Sequence, residues 1–194
     1  MSDTIEQLLT PRFVDVNTED GTRSKVVIEP LERGFGYTLG NALRRILLSC
    51  IPGAAITDVK IDGVLHEYSS IEGVQEDVID ILLNLKGVAV KKEFDEAVTL
   101  TLSANGEGVL RAGDIQTVQD VEITNPDHVI AHLSKDAKFH AELTVRSGRG
   151  YQVSEARKSD TEDKEIGLMQ LDATYSPVLK VCLLYTSPSP RDRG

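Results

Sequence analysis

An α+β fold in two domains is what this sequence predicts, and three features carry the prediction. Apolar residues recur at helical spacing in two stretches, Leu39–Leu47 and Val74–Leu85. Elsewhere, runs such as Val98–Leu102 and Phe139–Val145 alternate apolar and polar side chains as half-buried strands do. Between the two kinds of segment, Pro52-Gly53 stops the first helix and strand composition follows at once, which marks a domain boundary.

Composition narrows the function classes. The chain has 194 residues, 40% hydrophobic and 27% charged, enough for a real core in one ordinary domain or two small ones. A formal net charge of −10 argues against a chain that grips nucleic acid by itself, because phosphate binding draws on clustered Lys and Arg. No apolar run approaches the roughly 20 residues of a membrane span. The N-terminus lacks the basic and apolar regions of a secretion signal, so a cytoplasmic protein is expected. Cys50 and Cys182 cannot make a zinc site alone and lack metal-ligand spacing with His66, His128, His132 or His140. Cys50 reads as an ordinary helix-end residue of the small, buried kind.

In chain order, residues 11–16 and 24–29 alternate around the turn-forming Asn17–Gly21 and predict a hairpin. Gly34, Gly36 and Gly40 then let the chain turn sharply or let another surface come close. From Thr38 the helix begins, with Leu39, Ala42, Leu43, Ile46 and Leu47 on one stripe and Asn41, Arg44, Arg45 and Ser49 beside it. Such a stripe usually packs into its own domain, but paired arginines also suit recognition of carboxylates or carbonyls on a partner. Residues 55–61 form a strand closed by Asp62-Gly63.

The second helix places Val74, Val78, Ile81, Leu82 and Leu85 on its apolar face and Glu76, Asp77 and Asp80 on the exposed one. Gly87 stands where a left-handed C-cap is expected, and Lys86 complements the helix dipole. Short strands and turns fill 88–145, residues 154–165 form a charged exposed loop, and strands return at 168–173 and 175–178.

Chemistry needs convergent groups, and the sequence brings none together. His66-Glu67 has no nucleophile or second acid beside it, and the aspartates lack the close spacing that holds magnesium. Ser147–Tyr151 lacks the lysine and spaced glycines of a phosphate loop. No catalytic residue, cofactor or metal is expected on this chain.

Two long strings carry a resemblance. LERGFGYTLGNALRRILLS at Leu31–Ser49 and IDGVLHEYSSIEGVQEDVIDILLNLKG at Ile61–Gly87 resemble the two signatures of the amino-terminal domain of the bacterial RNA polymerase α subunit, and similarity runs from about Pro11 to Val181. The resemblance implies a non-catalytic scaffold that forms a homodimer and assembles the large β and β′ subunits for transcription, as part of a nucleotidyltransferase complex. It implies a discontinuous dimerisation domain of residues 1–52 plus about 178–181, interrupted by an inserted β-rich domain at 53–177. By the same resemblance Phe35, Leu39, Leu43, Ile46 and Leu47 face the dimer axis, and Arg44, Arg45 and Lys86 contact the large subunits. Glu162, Asp163 and Glu165 would meet an activator. A small acidic α+β cytosolic enzyme is the alternative from another class.

The family continues past Val181 into a helix that packs at the dimer axis, so the stripe is expected to be partly exposed here and pairing to be weak. Residues 182–194, CLLYTSPSPRDRG, break off the preceding strand, since Pro188 and Pro190 cannot donate to a ladder. Their reverse translation resembles the transposase adapter used in sequencing libraries, so this segment is expected to be adapter read-through, removable without loss of folding or β binding.

Overall fold

The structure, a computed structural model, describes residues 13–157 and 166–185. These fall into two compact units, one carrying residues 13–46 and 181–185 and the other residues 47–157 and 166–180. The fold is α+β, mostly sheet.

In the first unit, β1 (Phe13–Asp20) and β2 (Arg23–Glu29) form an antiparallel hairpin. Its turn is tighter than Asn17–Gly21 suggested, because Asn17, Thr18 and Asp20 still pair with Lys25, Ser24 and Arg23. A register irregularity between Thr18 and Asp20 absorbs the odd residue, and an Arg23–Glu19 ion pair at 3.3 Å lies beside it. Helix α1 (Phe35–Ser49) begins before Thr38. Of its three nearby glycines only Gly34 takes a left-handed φ, 88°, so Gly36 and Gly40 are helix residues rather than turn residues.

The second unit is organised on β3 (Pro52–Ile61), which opens on the proline because the first residue of a strand can do without an N–H. After it come α2 (Val78–Lys86), β4 (Val90–Lys92), β5 (Val98–Asn105), β6 (Gly108–Arg111), β7 (Ile115–Gln116), β8 (Val121–Ile123), β9 (Val129–Leu133) and β10 (Lys138–Arg149). The chain then gives β11 (Tyr151–Gln152), α3 (Ser154–Arg157), β12 (Leu168–Gln170) and β13 (Ala173–Thr174). The main sheet has the order β7-β5-β10-β3-β4-β8, and β12 also pairs with β3. Residues 175–178, expected as strand, follow β13 without forming one.

Alternation in β10 buries Phe139, Ala141, Leu143 and Val145, and α2 sets Val78, Ile81, Leu82 and Leu85 into the same core. Burying each large side chain of this kind contributes about 1.5–3 kcal/mol. In β3 the alternation fails: Ala55 through Val59 are all buried. Thr144 pairs with Asp58 but Val145 with Ile56, so Thr57 is the extra residue of a bulge that turns the strand's phase. Its hydroxyl donates to Asp58 at 2.7 Å, and Arg146 Nε stands 3.6 Å from the same carboxylate oxygen, so the buried charge is compensated. The two residues, in place of one, between the apolar Ile56 and Val59 are the trace of this bulge in the sequence.

Two details of α2 differ from the expected ones. Gly87 has φ −81°, so it is not a left-handed cap; a Cβ there would come within 2.8 Å of the His128 ring, whose Nε2 lies 2.8 Å from the Asn84 carbonyl. Close approach, not backbone handedness, requires the glycine. Val74 and Glu76 precede the helix, and Glu76 is not on an exposed helical face. Its carboxylate accepts from the His132 backbone N–H at 2.7 Å and meets His132 Nδ1 at 2.5 Å, clipping the 62–77 loop to β9.

Burial pushes the Glu76 carboxyl up, but the hydrogen bonds from His132 outweigh it and hold the group below the usual carboxylate range. A carboxylate held low in the fold stabilises it above the unfolded pKa, and that contribution disappears as pH falls through the folded value. Glu76→Ala should therefore cost about 1–2 kcal/mol at neutral pH. In urea titrations the gap between variant and parent should begin to narrow near the ordinary carboxylate range, about pH 4, and close as pH falls past the lower folded value; a gap that stays constant across the whole acid range would remove the carboxylate from the explanation.

Candidate partner-binding surfaces

Helix α1 follows the left-handed Gly34, and its entry is closed by the Phe35 N–H bonding to the Glu32 carbonyl at 3.0 Å. The 15-residue helix has no buried residue. Phe35, Leu43 and Ile46 are 49%, 37% and 51% exposed, while Leu39 and Leu47 are half-buried. Arg44 and Arg45 are exposed on the adjoining face. An amphipathic helix of this length normally sinks its stripe into a core, and single exposed apolar residues need no explanation, but a whole stripe does.

Lys86 ends α2 and is exposed. Sequence reading assigned α2 one apolar face, yet Ile79 and Leu83 lie on the opposite, exposed side, and helical spacing puts Lys86 next in their row. The i, i+4, i+7 spacing was visible in the sequence but was masked by the stronger buried stripe. In the preceding loop Leu65 and Tyr68 are also exposed, and His66 Nδ1 lies 3.1 Å from the Ser69 hydroxyl. His66 thus has a local structural partner.

Tyr175 anchors the segment after β13. Its ring lies on Gly148 of β10, its carbonyl on Gly53 of β3, and its hydroxyl donates to Gln152 at 3.2 Å. Nearby, Tyr151 donates to Asp172 at 3.0 Å and the Ser154 N–H does so at 2.8 Å. The Ser154 N–H and the Tyr151 hydroxyl hold the Asp172 carboxyl below its ordinary value, with Lys86 adding a smaller pull in the same direction, and the bond to Asp172 raises Tyr151. Sequence reading missed this cluster, since its members are scattered from Gly53 to Tyr175.

Cys50 and Cys182 are free and exposed, so Cys50 is not the small buried residue expected. Among the described residues, no group of three or more His, Cys, Asp or Glu is placed to hold a metal ion, and no helix is long and apolar enough to cross a membrane. Glu162, Asp163 and Glu165 lie outside the described residues.

A family described as the RNA polymerase Rpb3/RpoA insert domain matches residues 59–176. The chain belongs to this family. The match takes in the last residues of β3, all of α2 and every later strand through β13, so this region is the insert domain of an RNA polymerase α-type subunit. The nucleotidyl-transfer chemistry of such an enzyme is thereby the activity of a complex in which this chain is a subunit. Lys86, Ile79, Leu83 and the Tyr175 anchor are within the matched span, whereas the α1 stripe and its arginines precede it.

Proposed function

We propose that this α-type subunit is a non-catalytic, cytoplasmic assembly scaffold: two copies pair through α1, and the pair gathers β and then β′. The observation that carries the reading is a 15-residue amphipathic helix with none of its residues buried, flanked by Arg44 and Arg45. An apolar stripe left open within one chain favours a second surface, and a helix pair satisfies it with the same residues from both sides. Arg44, Arg45 and Lys86 are offered to β and β′, where planar guanidinium groups can make paired bonds to carboxylates. In this reading residues 1–52 with about 178–181 serve dimerisation and 53–177 form the insert. Residues 182–194 stand outside both, as adapter read-through. An acidic loop containing Glu162, Asp163 and Glu165 would serve an activator.

Sedimentation equilibrium of the purified chain tests the pairing. Leu43→Asp should weaken self-association by more than about tenfold, because burying an unpaired carboxylate in an apolar interface costs well over the ~1.4 kcal/mol that tenfold represents. Equal association by parent and variant would sink the role of the stripe. Substrate turnover by the isolated chain would instead favour the small-enzyme reading.

A further inference from the structure

The turn between β5 and β6 carries the chain's single Asn-Gly pair, Asn105-Gly106. Among the other asparagines, Asn41, Asn84 and Asn125 donate a side-chain N–H at 2.9 Å to the carbonyls of Tyr37, Ile130 and Gly87, so their amides are tied down. Asn17 precedes Thr18, whose branched side chain crowds the peptide nitrogen between them. Asn105 ends β5, is exposed, and its side-chain amide has no hydrogen bond among the described residues. Gly106 has no side chain to shield its nitrogen, takes φ 87°, and a Cβ there would meet only the Lys135 carbonyl, 3.9 Å away. One contact restrains the pair. The Gly106 N–H donates to the Ala137 carbonyl at 2.9 Å, while Asn105 pairs with Lys138 of β10.

We infer that Asn105 is the site at which this chain deamidates, and that the Ala137 carbonyl sets the pace by holding the Gly106 nitrogen. In the reaction that nitrogen bonds to Cγ of Asn105 and the Cγ–Nδ2 bond breaks. The Gly106 proton leaves with Nδ2 as ammonia, which closes a succinimide ring. Water then opens the ring: addition at Cγ releases the Gly106 nitrogen from Cγ and leaves aspartate, whereas addition at the main-chain carbonyl carbon leaves isoaspartate. The two products fit the sheet differently. Aspartate keeps the main chain and sets a carboxylate directly opposite Lys138, a pairing that sheets accept. Isoaspartate inserts a carbon into the main chain next to the pairing of Ala104 with the buried Phe139, and so spoils the register at this end of β5.

Peptide mass spectrometry of the whole chain, aged at mildly alkaline pH with and without urea, tests this. In the folded chain Asn105 should be the first asparagine to convert. Urea should speed that conversion at least about tenfold, because the Gly106 nitrogen is then free without waiting for a local opening. The aged folded protein should separate into an aspartyl form with the parental urea midpoint and an isoaspartyl form with a lower one. Asn105→Gln should stay unconverted over the same period, and the peptide map of the parent alone decides the site should that variant fail to fold. Conversion of another asparagine ahead of Asn105, or none at Asn105 in either condition, overturns the site. Equal rates with and without urea overturn the restraint by Ala137, and equal midpoints for the two products overturn the account of the register.

Discussion

Gly53→Ala should destabilise the β-rich unit by about 3 kcal/mol, at the upper end of what overpacking costs. The reason is the neighbour: a Cβ at Gly53 would run into the backbone carbonyl oxygen of Tyr175, which cannot rotate aside as a side-chain tip can. Gly53 pairs with Gly148 across β3 and β10, and a Cβ on Gly148 would lie 2.6 Å from the Tyr175 ring. Together the two glycines are a seat for one buried tyrosine. Displacing it also strains the bond from the Tyr175 N–H to the Gly150 carbonyl at 2.8 Å. Urea midpoints measure the loss, with Gly21→Ala as the control, since nothing lies within 4 Å of a Cβ there. A Gly53→Ala chain as stable as that control would mean that Tyr175 is not anchored as described.

Arg45→Ala should weaken retention of β by about 2–5 kcal/mol, the range for truncating one side of a hydrogen-bonded charge pair buried at an interface. Self-association should be unaffected, because Phe35, Leu43 and Ile46 are untouched. Arg45→Lys should recover only part of the loss, since an ammonium cannot reproduce a planar two-pronged contact. Pull-down titrations of β against the two variants measure this, and β held at parental strength by Arg45→Ala would remove the residue from the interface.

The parts of the fold legible in the sequence were those with uninterrupted periodicity. Alternation in 139–145 marked the strand that occupies the middle of the sheet, and the spacing Val78, Ile81, Leu82, Leu85 marked the helix that covers its core. What the sequence concealed depended on contacts distant along the chain. Thr57 breaks the phase of β3 through its opposition to Thr144, Glu76 is drawn out of the α2 pattern by His132, and Gly87 is needed because of His128. Glycine was hard to read: at Gly53, Gly87 and Gly148 it makes room for a neighbour distant along the chain, and at Gly36 and Gly40 the residue type left a turn and a close approach equally open. For the candidate surfaces the residue types and helix faces could be read from the sequence. That α1 buries none of its residues goes further than the partial exposure the resemblance implied, because periodicity says which face is apolar and not what covers it.

Native mass spectrometry of this chain co-expressed with β and β′ tests the scaffold most directly. The account predicts an intermediate containing two copies of the chain with one β, lost in Arg45→Ala while the two-copy species remains, and lost together with that species in Leu43→Asp. Recovery of β bound to a single copy, or of β and β′ assembled without the chain, would contradict it.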